Sequence, residues 1–423
     1  MPDRSLAEWL TLIESRHPSE IELGLGRVAE VWHRLLQQPR LNQCEPPLAI
    51  TVAGTNGKGS CITSMQALLL QHGHSVGTFT SPHFLAYNER ICLAGKPVSD
   101  ALIVDAFEQI EAVTDELSLT YFEVGTLAAL VIFYQASPDV MLMEVGLGGR
   151  LDAINIIDAD IAVLTSIALD HCDWLGDTRT AIAREKLGIA RPNRPLIIGE
   201  QDYPEGFAQL VADTGAKPLW AGRDFTFTGG ELFDCQLSSP ESPRSFEQLN
   251  GQGLLPINKI LALQALTAAG FQLNQQDSAA ALQQVSLTGR HQQLTYRGLE
   301  VILDVAHNPA AAKVLAASLA QTEGRTIAVA AVLEDKDWSG IIEPMVDPVD
   351  DWILGEISDS SRARKGQSLL DLLYNAGQTG RLQPSVEQAF ELAVDNAAAT
   401  DRILVFGSFH TVAAVLKIIL AEV

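Results

Sequence analysis

What the chain lacks narrows its class first. Its five cysteines, Cys44, Cys61, Cys92, Cys172 and Cys235, include no C-x-x-C pair. An odd, scattered set in a chain of 423 residues points away from a disulfide framework and toward reduced thiols in a cytoplasmic protein. No apolar run is long enough to cross a bilayer. The opening MPDRSLAEWL carries acidic residues and no extended apolar stretch, so it does not read as a secretory signal. No internal repeat is evident. Basic residues are scarce: 29 Lys+Arg against 52 Asp+Glu leave a net charge of -23. A broadly acidic surface disfavours nucleic acid or an anionic membrane as partner. It does not exclude an anionic substrate, because a local basic site can sit inside an acidic protein.

What is present is an ordinary globular composition, 47% hydrophobic, at a length that predicts two domains. LAITVA (48–53), SVGTF (75–79), DVMLMEVG (139–146), DIAVLTS (160–166) and RPLIIG (194–199) are mostly continuous apolar runs separated by helical patterns. Such runs predict a parallel sheet covered on both faces, hence an α/β fold. Residues 217–256 differ: short polar strands and turns suggest a small sheet or an irregular excursion. NKILALQALTAAG (258–270) is a helix with a glycine stop. A second series follows, with strands in 300–307, 325–332, 351–355 and 401–408 and helices near 309–320, 385–398 and 411–421. The polar, turn-like GRHQQLTYRG (289–298) marks the boundary. The expected domains are 1–289 and 299–423, joined by a linker at 290–298.

The first strand runs into TVAGTNGKGS (51–60), and a helix follows. A glycine turn between a buried strand and a helix exposes backbone N–H groups, which with the helix N-terminus cradle an anion. Gly54, Thr55, Asn56, Gly57 and Gly59 would form the cradle. Lys58 can reach the outer phosphates and the Ser60 hydroxyl a magnesium ion. The spacing is a variant of G-x-x-x-x-G-K-[ST], since Gly59 separates Lys58 from Ser60. The bland alternative is a turn built for packing alone. Glu144, ending a strand just before VGLGGR, is a candidate magnesium ligand, because a carboxylate there is costly without compensation. Ser81 ends another strand. His171 follows a third. Taken alone, it is more often a packed or surface histidine, and imidazole is not magnesium's usual partner. Lys186, on a helix, reads from its own chemistry as a solvated surface lysine. In the second series Asp304 could hold a ribose hydroxyl or a substrate ammonium, and His307 a phosphate or carboxylate. Arg290, Asn308, Ser408 and His410 lie at turns or strand ends nearby. Together they suggest a cleft with polar groups from both domains.

TVAGTNGKGS, SPHFLAYNERI, LTYFEVGTLAAL, EVGLGGRLDAIN, TSIALDHCDWLG, REKLGI, DVAHNP and GSFHTVA, in this order, resemble the bifunctional dihydrofolate synthase/folylpolyglutamate synthases of the Mur-ligase superfamily. The resemblance runs from end to end. It implies a mostly parallel-sheet, P-loop-type ATP-binding domain followed by a smaller Rossmann-like domain, with the active site in the interdomain cleft. It implies ATP and two magnesium ions, and admits a monovalent cation such as K+. Ser60, Ser81 and Glu144 would hold one magnesium. Glu144, His171 and Lys186 would hold the other, with Lys186 carbamylated into an anionic oxygen ligand. Asn258, Arg290 and Asp304 would contact nucleotide. His307 and Ser408 would serve glutamate or phosphates, and Thr120, Phe122, Asp152 and Ala153 the pterin. The implied substrates are dihydropteroate, tetrahydrofolates and L-glutamate, joined through an acyl phosphate by a monomeric enzyme. Three departures stand out. Ser60 replaces a common threonine but keeps the hydroxyl. Ile154 replaces a threonine and loses one. His291 replaces a frequent phenylalanine.

Overall fold

The computed structural model describes residues 4–17, 22–239, 242–320, 322–358 and 362–422. The chain divides into two compact units. The first comprises Met1–Ile167 and Leu175–Val285, the second Ala168–Trp174 and Ser286–Val423. Among the described residues no helix is long and apolar enough to cross a membrane.

The first unit is organised by β1 (Leu48–Ala53), β2 (Val76–Phe79), β3 (Ile91–Leu93), β4 (Lys96–Pro97), β5 (Val140–Glu144), β6 (Ile161–Leu164), β7 (Pro195–Ile198) and β8 (Lys217–Trp220). Their order is β4-β3-β2-β5-β1-β6-β7-β8. β3 pairs antiparallel with both β2 and β4 at one edge, and the other neighbours are parallel. Every residue of β5 and β6 is buried, as their uninterrupted apolar runs require.

Helices cover the sheet. α1 (Leu6–Arg16) buries Leu6, Trp9 and Ile13, and α2 (Gly26–Leu36) buries Val28, Val31, Trp32 and Leu35. These three-to-four-residue spacings form apolar stripes that the sequence reading had not placed. α3 (Lys58–Gln71) follows β1. α1 and α2 pack on α4 (Asp100–Thr114) and α5 (Tyr121–Ala136), and α5 is apolar on nearly every side because it lies under that layer.

Residues 226–250 settle the small-sheet alternative. β9 (Thr226–Gly229), β10 (Leu232–Leu237) and β11 (Arg244–Asn250) form an antiparallel sheet. Along β10 exposed and buried residues alternate, with Phe233, Cys235 and Leu237 facing in. Its inner face packs on the helix Pro256–Ala268.

The second unit holds β12 (Gln292–Tyr296), β13 (Leu299–Leu303), β14 (Thr326–Ala330), β15 (Asp351–Leu354), β16 (Gly380–Leu382) and β17 (Arg402–Phe406), in the order β12-β13-β17-β14-β15-β16. β12 corrects the turn-like reading of 290–298. It forms an antiparallel hairpin with β13 from Gln292↔Leu303 to Tyr296↔Leu299. A half-exposed edge strand needs few apolar residues, so its polar composition concealed it.

Candidate active site

In the first unit the candidate residues gather at the carboxyl ends of adjacent strands, where β1 lies between β5 and β6. This is where open α/β sheets bind ligands. The loop after β1 is pinned to the end of β6. Thr55 N–H donates to Ser166 O at 2.9 Å and Asn56 N–H to Ser166 Oγ at 3.0 Å, while Thr165 Oγ1 donates to Asn56 O at 2.6 Å. Gly54 has φ +156, and a Cβ there would meet Thr165 Oγ1 at 1.8 Å. Gly57, at φ +87, directly precedes α3, and its Cβ would meet Asn258 Oδ1 at 2.5 Å. Asn258 is thereby brought against the loop.

Lys58 Nζ donates to Gly54 O at 3.1 Å and to Thr55 O at 3.4 Å. Ser60 is buried in the first turn of α3, which contains no acidic residue to compete with an anion. Next to Asn258, the buried Lys259 ammonium donates to Asn250 O at 2.7 Å and Gln252 O at 2.8 Å, anchoring the start of that helix. Gly57→Ala should therefore misplace both loop and Asn258. We expect a melting temperature a few degrees lower and kcat/KM for ATP about 10²-fold lower. Wild-type nucleotide kinetics would count against the cradle.

Glu144 ends β5 opposite Val52 of β1, and Ser81 N–H donates to its Oε2 at 3.3 Å. The chain after Glu144 grips the end of the helix Arg179–Leu187. Arg150 N–H donates to Glu185 O at 2.7 Å, and the Arg150 guanidinium pairs with the Glu185 carboxylate at 3.0 Å. That packing buries Lys186, which is 5% exposed and not the solvated lysine its helix position suggested.

The pterin candidates lie alongside. Thr120 caps α5 in a capping box with Glu123, so its hydroxyl receives Glu123 N–H at 3.2 Å. The Phe122 ring approaches Gly146 so closely that a Cβ there would sit 2.7 Å from it. Asp152 and Ala153 are buried. Asp152 accepts Leu147 N–H at 2.8 Å and Ile154 N–H at 3.0 Å. Ile154 is fully buried against the apolar core, which accounts for an aliphatic side chain where a hydroxyl is commoner. SPHFLAYNERI contributes an unforeseen cluster. Arg90 donates to His83 at 2.8 Å and lies over the Tyr87 and Tyr121 rings.

Burial pushes the Asp152 carboxyl up to about 6, against the pull of its amide donors and of Lys58. A carboxyl with a raised folded-state pKa favours the fold below its unfolded value near 4 and loses that contribution as pH rises through about 6. The amount is on the order of 3 kcal/mol. Asp152→Asn puts an N–H against an amide donor, so it should be destabilised throughout. Its deficit relative to wild type should shrink between pH 4 and 7. Denaturant titrations at both pH values test this, and a constant deficit would contradict it.

The second unit holds the other candidates. The Arg290 guanidinium lies over the Phe409 ring at 5.2 Å. Asp304, at the end of β13, accepts His291 N–H at 2.7 Å and Ala306 N–H at 2.8 Å, and burial pushes its carboxyl up. Ser408 caps the helix Phe409–Ala421, its Oγ accepting Thr411 N–H at 3.0 Å. His307 Nδ1 bonds Val305 O at 2.8 Å. Ala168–Trp174 brings His171 into this unit, half-buried and at φ +52. Desolvation lowers the His171 imidazole to about 4 despite the neighbouring Asp170. Among the described residues no group of three or more His, Cys, Asp or Glu side chains could hold a metal ion. Ser81 and Glu144 meet within the first unit, whereas His171 belongs to the second.

Asp170 and Lys336, which sequence reasoning missed, meet at 2.7 Å. Burial alone would raise the Asp170 carboxyl, but His307, His171 and Lys336 hold it well below the usual carboxylate range. Their sequence separation of 166 residues left no local signal.

Residues 52–217 match the Mur ligase middle domain and residues 289–409 the Mur ligase glutamate ligase domain. The dihydrofolate synthase/folylpolyglutamate synthase of Escherichia coli (strain K12) is 39% identical over 417 residues, covering 98% of this chain and 95% of that protein. The protein of the same name from Haemophilus influenzae is 38% identical, with 96% of each covered. Among solved structures, Escherichia coli FolC in complex with DHPP and ADP superposes with a TM-score of 0.91 at 39% identity, over 99% of each chain. A bifunctional folylpolyglutamate synthase/dihydrofolate synthase with Mn, AMPPNP and L-glutamate bound superposes with a TM-score of 0.89 at 40% identity, over 98% of each. The chain belongs to the bifunctional dihydrofolate synthase/folylpolyglutamate synthase family of the Mur-ligase superfamily.

Proposed function

We propose that this chain joins L-glutamate to dihydropteroate, and to the γ-carboxylate of reduced folates, in an ATP-dependent amide ligation. The observation that carries the reading is the neighbourhood of two sites in one unit. The glycine loop with Lys58 ends β1, and Glu144 of the adjoining β5 leads directly into the Gly146 that meets Phe122. A phosphate cradle beside an aromatic face and a buried carboxylate, Asp152, suits a substrate that pairs a flat polar ring with a carboxylate to be activated.

A carboxylate is a poor electrophile. Transfer of the ATP γ-phosphoryl group to it gives an acyl phosphate and ADP. The deprotonated amine of glutamate attacks that carbonyl, and the tetrahedral adduct expels phosphate. Lys58 and the N-terminal turn of α3 stabilise phosphate charge through both steps. Asn258, Arg290 and Asp304 hold the nucleotide. His307 and the helix end set by Ser408 recognise glutamate or phosphate.

Ser60, Ser81 and Glu144 offer the oxygen donors a hard divalent cation requires. They would hold one magnesium ion, with Glu144, His171 and a carbamylated Lys186 for a second, and K+ as a further cation. Bound cations would neutralise phosphate charge and polarise the transferring group. Lys186 is buried, and carbamylation would replace its ammonium with an anionic oxygen ligand. We assign the enzyme to the cytoplasm on its five free cysteines, and a monomeric state.

Incubation with ATP, magnesium, glutamate and dihydropteroate, followed by mass spectrometry, tests the reading. Dihydrofolate formed in step with ADP and phosphate is the expected result. Glutamate addition to tetrahydrofolate alone would reduce the assignment to a folylpolyglutamate synthase. No product from either acceptor would overturn it.

A further inference from the structure

One carboxylate of the second unit is used to its limit. Asp170 Oδ1 receives Lys336 Nζ at 2.7 Å and the His171 main-chain N–H at 2.9 Å. Asp170 Oδ2 receives the Asn308 amide at 3.2 Å and lies 3.3 Å from His307 Nε2. A carboxylate offers about four lone-pair sites. Three are taken by N–H donors and the fourth faces the His307 ring. Lys336 is only 6% exposed and is flanked by Asp335 at 3.4 Å. Asp335 in turn pairs with Arg362 at 2.8 Å.

The arrangement ties together three chain segments that carry chemistry. Asn308 caps the helix Pro309–Ser318, so His307 stands at the turn from β13 into that helix. Lys336 lies in the loop after β14. His171 has φ +52, which a non-glycine residue adopts only when its surroundings impose it. The Asp170 carboxylate on its N–H and the Trp174 N–H on its carbonyl at 3.0 Å supply that restraint.

We propose that Asp170 and Lys336 are positioning residues of the ligase reaction: Asp170 fixes His171 and His307 relative to one another, and Lys336 anchors Asp170. Neither touches the reacting atoms. The inference rests on the reading above that the two histidines serve the cation and the incoming glutamate. A lysine suits the anchor, because its compact ammonium makes one short contact where a guanidinium would need a second acceptor.

The test uses the full chain, with wild-type glutamate addition measured first. Failure of the wild type would overturn the functional reading itself. Given an active wild type, Lys336→Met and Asp170→Asn should each lower kcat/KM for glutamate about 100-fold, with KM for ATP within about twofold. The double variant should be little worse than either single one, because the two residues act as a unit. A readout independent of turnover comes from long-range proton–nitrogen correlation spectra of the histidine rings, assigned with His171→Gln and His307→Gln. The His171 and His307 signals should move in both positioning variants while those of the distant His33 and His72 stay. Should Lys336→Met fail to fold, Asp170→Asn, which preserves side-chain volume, decides alone. Unmoved histidine signals, wild-type glutamate kinetics, or additive losses in the double variant would overturn the proposal.

Discussion

Lys58→Met is expected to lower turnover by about three orders of magnitude while the melting temperature moves only a few degrees. The two effects separate because they arise from different interactions. In the fold, the Lys58 ammonium donates to the carbonyls of Gly54 and Thr55. Such bonds contribute about 1 kcal/mol each. Methionine keeps the unbranched stem, so packing of the first turn of α3 changes little. In the proposed reaction, the same ammonium would face phosphate oxygens whose charge shifts as the γ-phosphoryl group leaves and again as phosphate is expelled. Its loss is felt at both transition states. Single-turnover measurement of ADP formation is the decisive assay. ADP formed at the wild-type rate would show that the loop serves packing only.

The second large effect is expected at Glu144. Glu144→Gln keeps the length of the side chain and an oxygen to receive Ser81 N–H, but removes the charge. Since Glu144 is 6% exposed, an ionised carboxylate there needs hydrogen bonds or ionic partners, and a bound cation would be one of them. The variant should therefore meet a divalent cation with a neutral amide instead of a charged carboxylate. It should lose the stabilisation that magnesium and nucleotide together give the wild type, and about 10³-fold or more in turnover. Calorimetric titration with magnesium in the presence of a nonhydrolysable ATP analogue checks the binding half. Undiminished metal affinity would remove Glu144 from the ligand set.

How far these sites could be read without coordinates depended on whether the signal was local. β1, β5 and β6 are continuous apolar runs and were legible as buried parallel strands. Glu144 stood out because a carboxylate ends such a run. β12 was not legible, since an edge strand of Gln, Gln, Leu, Thr and Tyr has the composition of a loop. α1 and α2 carried apolar stripes that were available but unread. Lys186 was misleading on its own chemistry. What buries it is the Gly149–Arg150 turn pressing on its helix, 35 residues away in the case of the Arg150–Glu185 pair. Family motifs reversed that reading where helix periodicity could not. Asp170 and Lys336 were beyond either approach. Asp170 sits beside His171, and only folding of the second unit places it against Lys336.

The burial of lysine has a consequence for covalent chemistry. Of nine lysines, Lys186, Lys259 and Lys336 are 5%, 0% and 6% exposed. Amine-directed acylating reagents will modify the accessible lysines first and reach these three only when the surrounding structure opens. The order in which the three become labelled then ranks the local opening of three separate parts of the molecule without any appeal to catalysis.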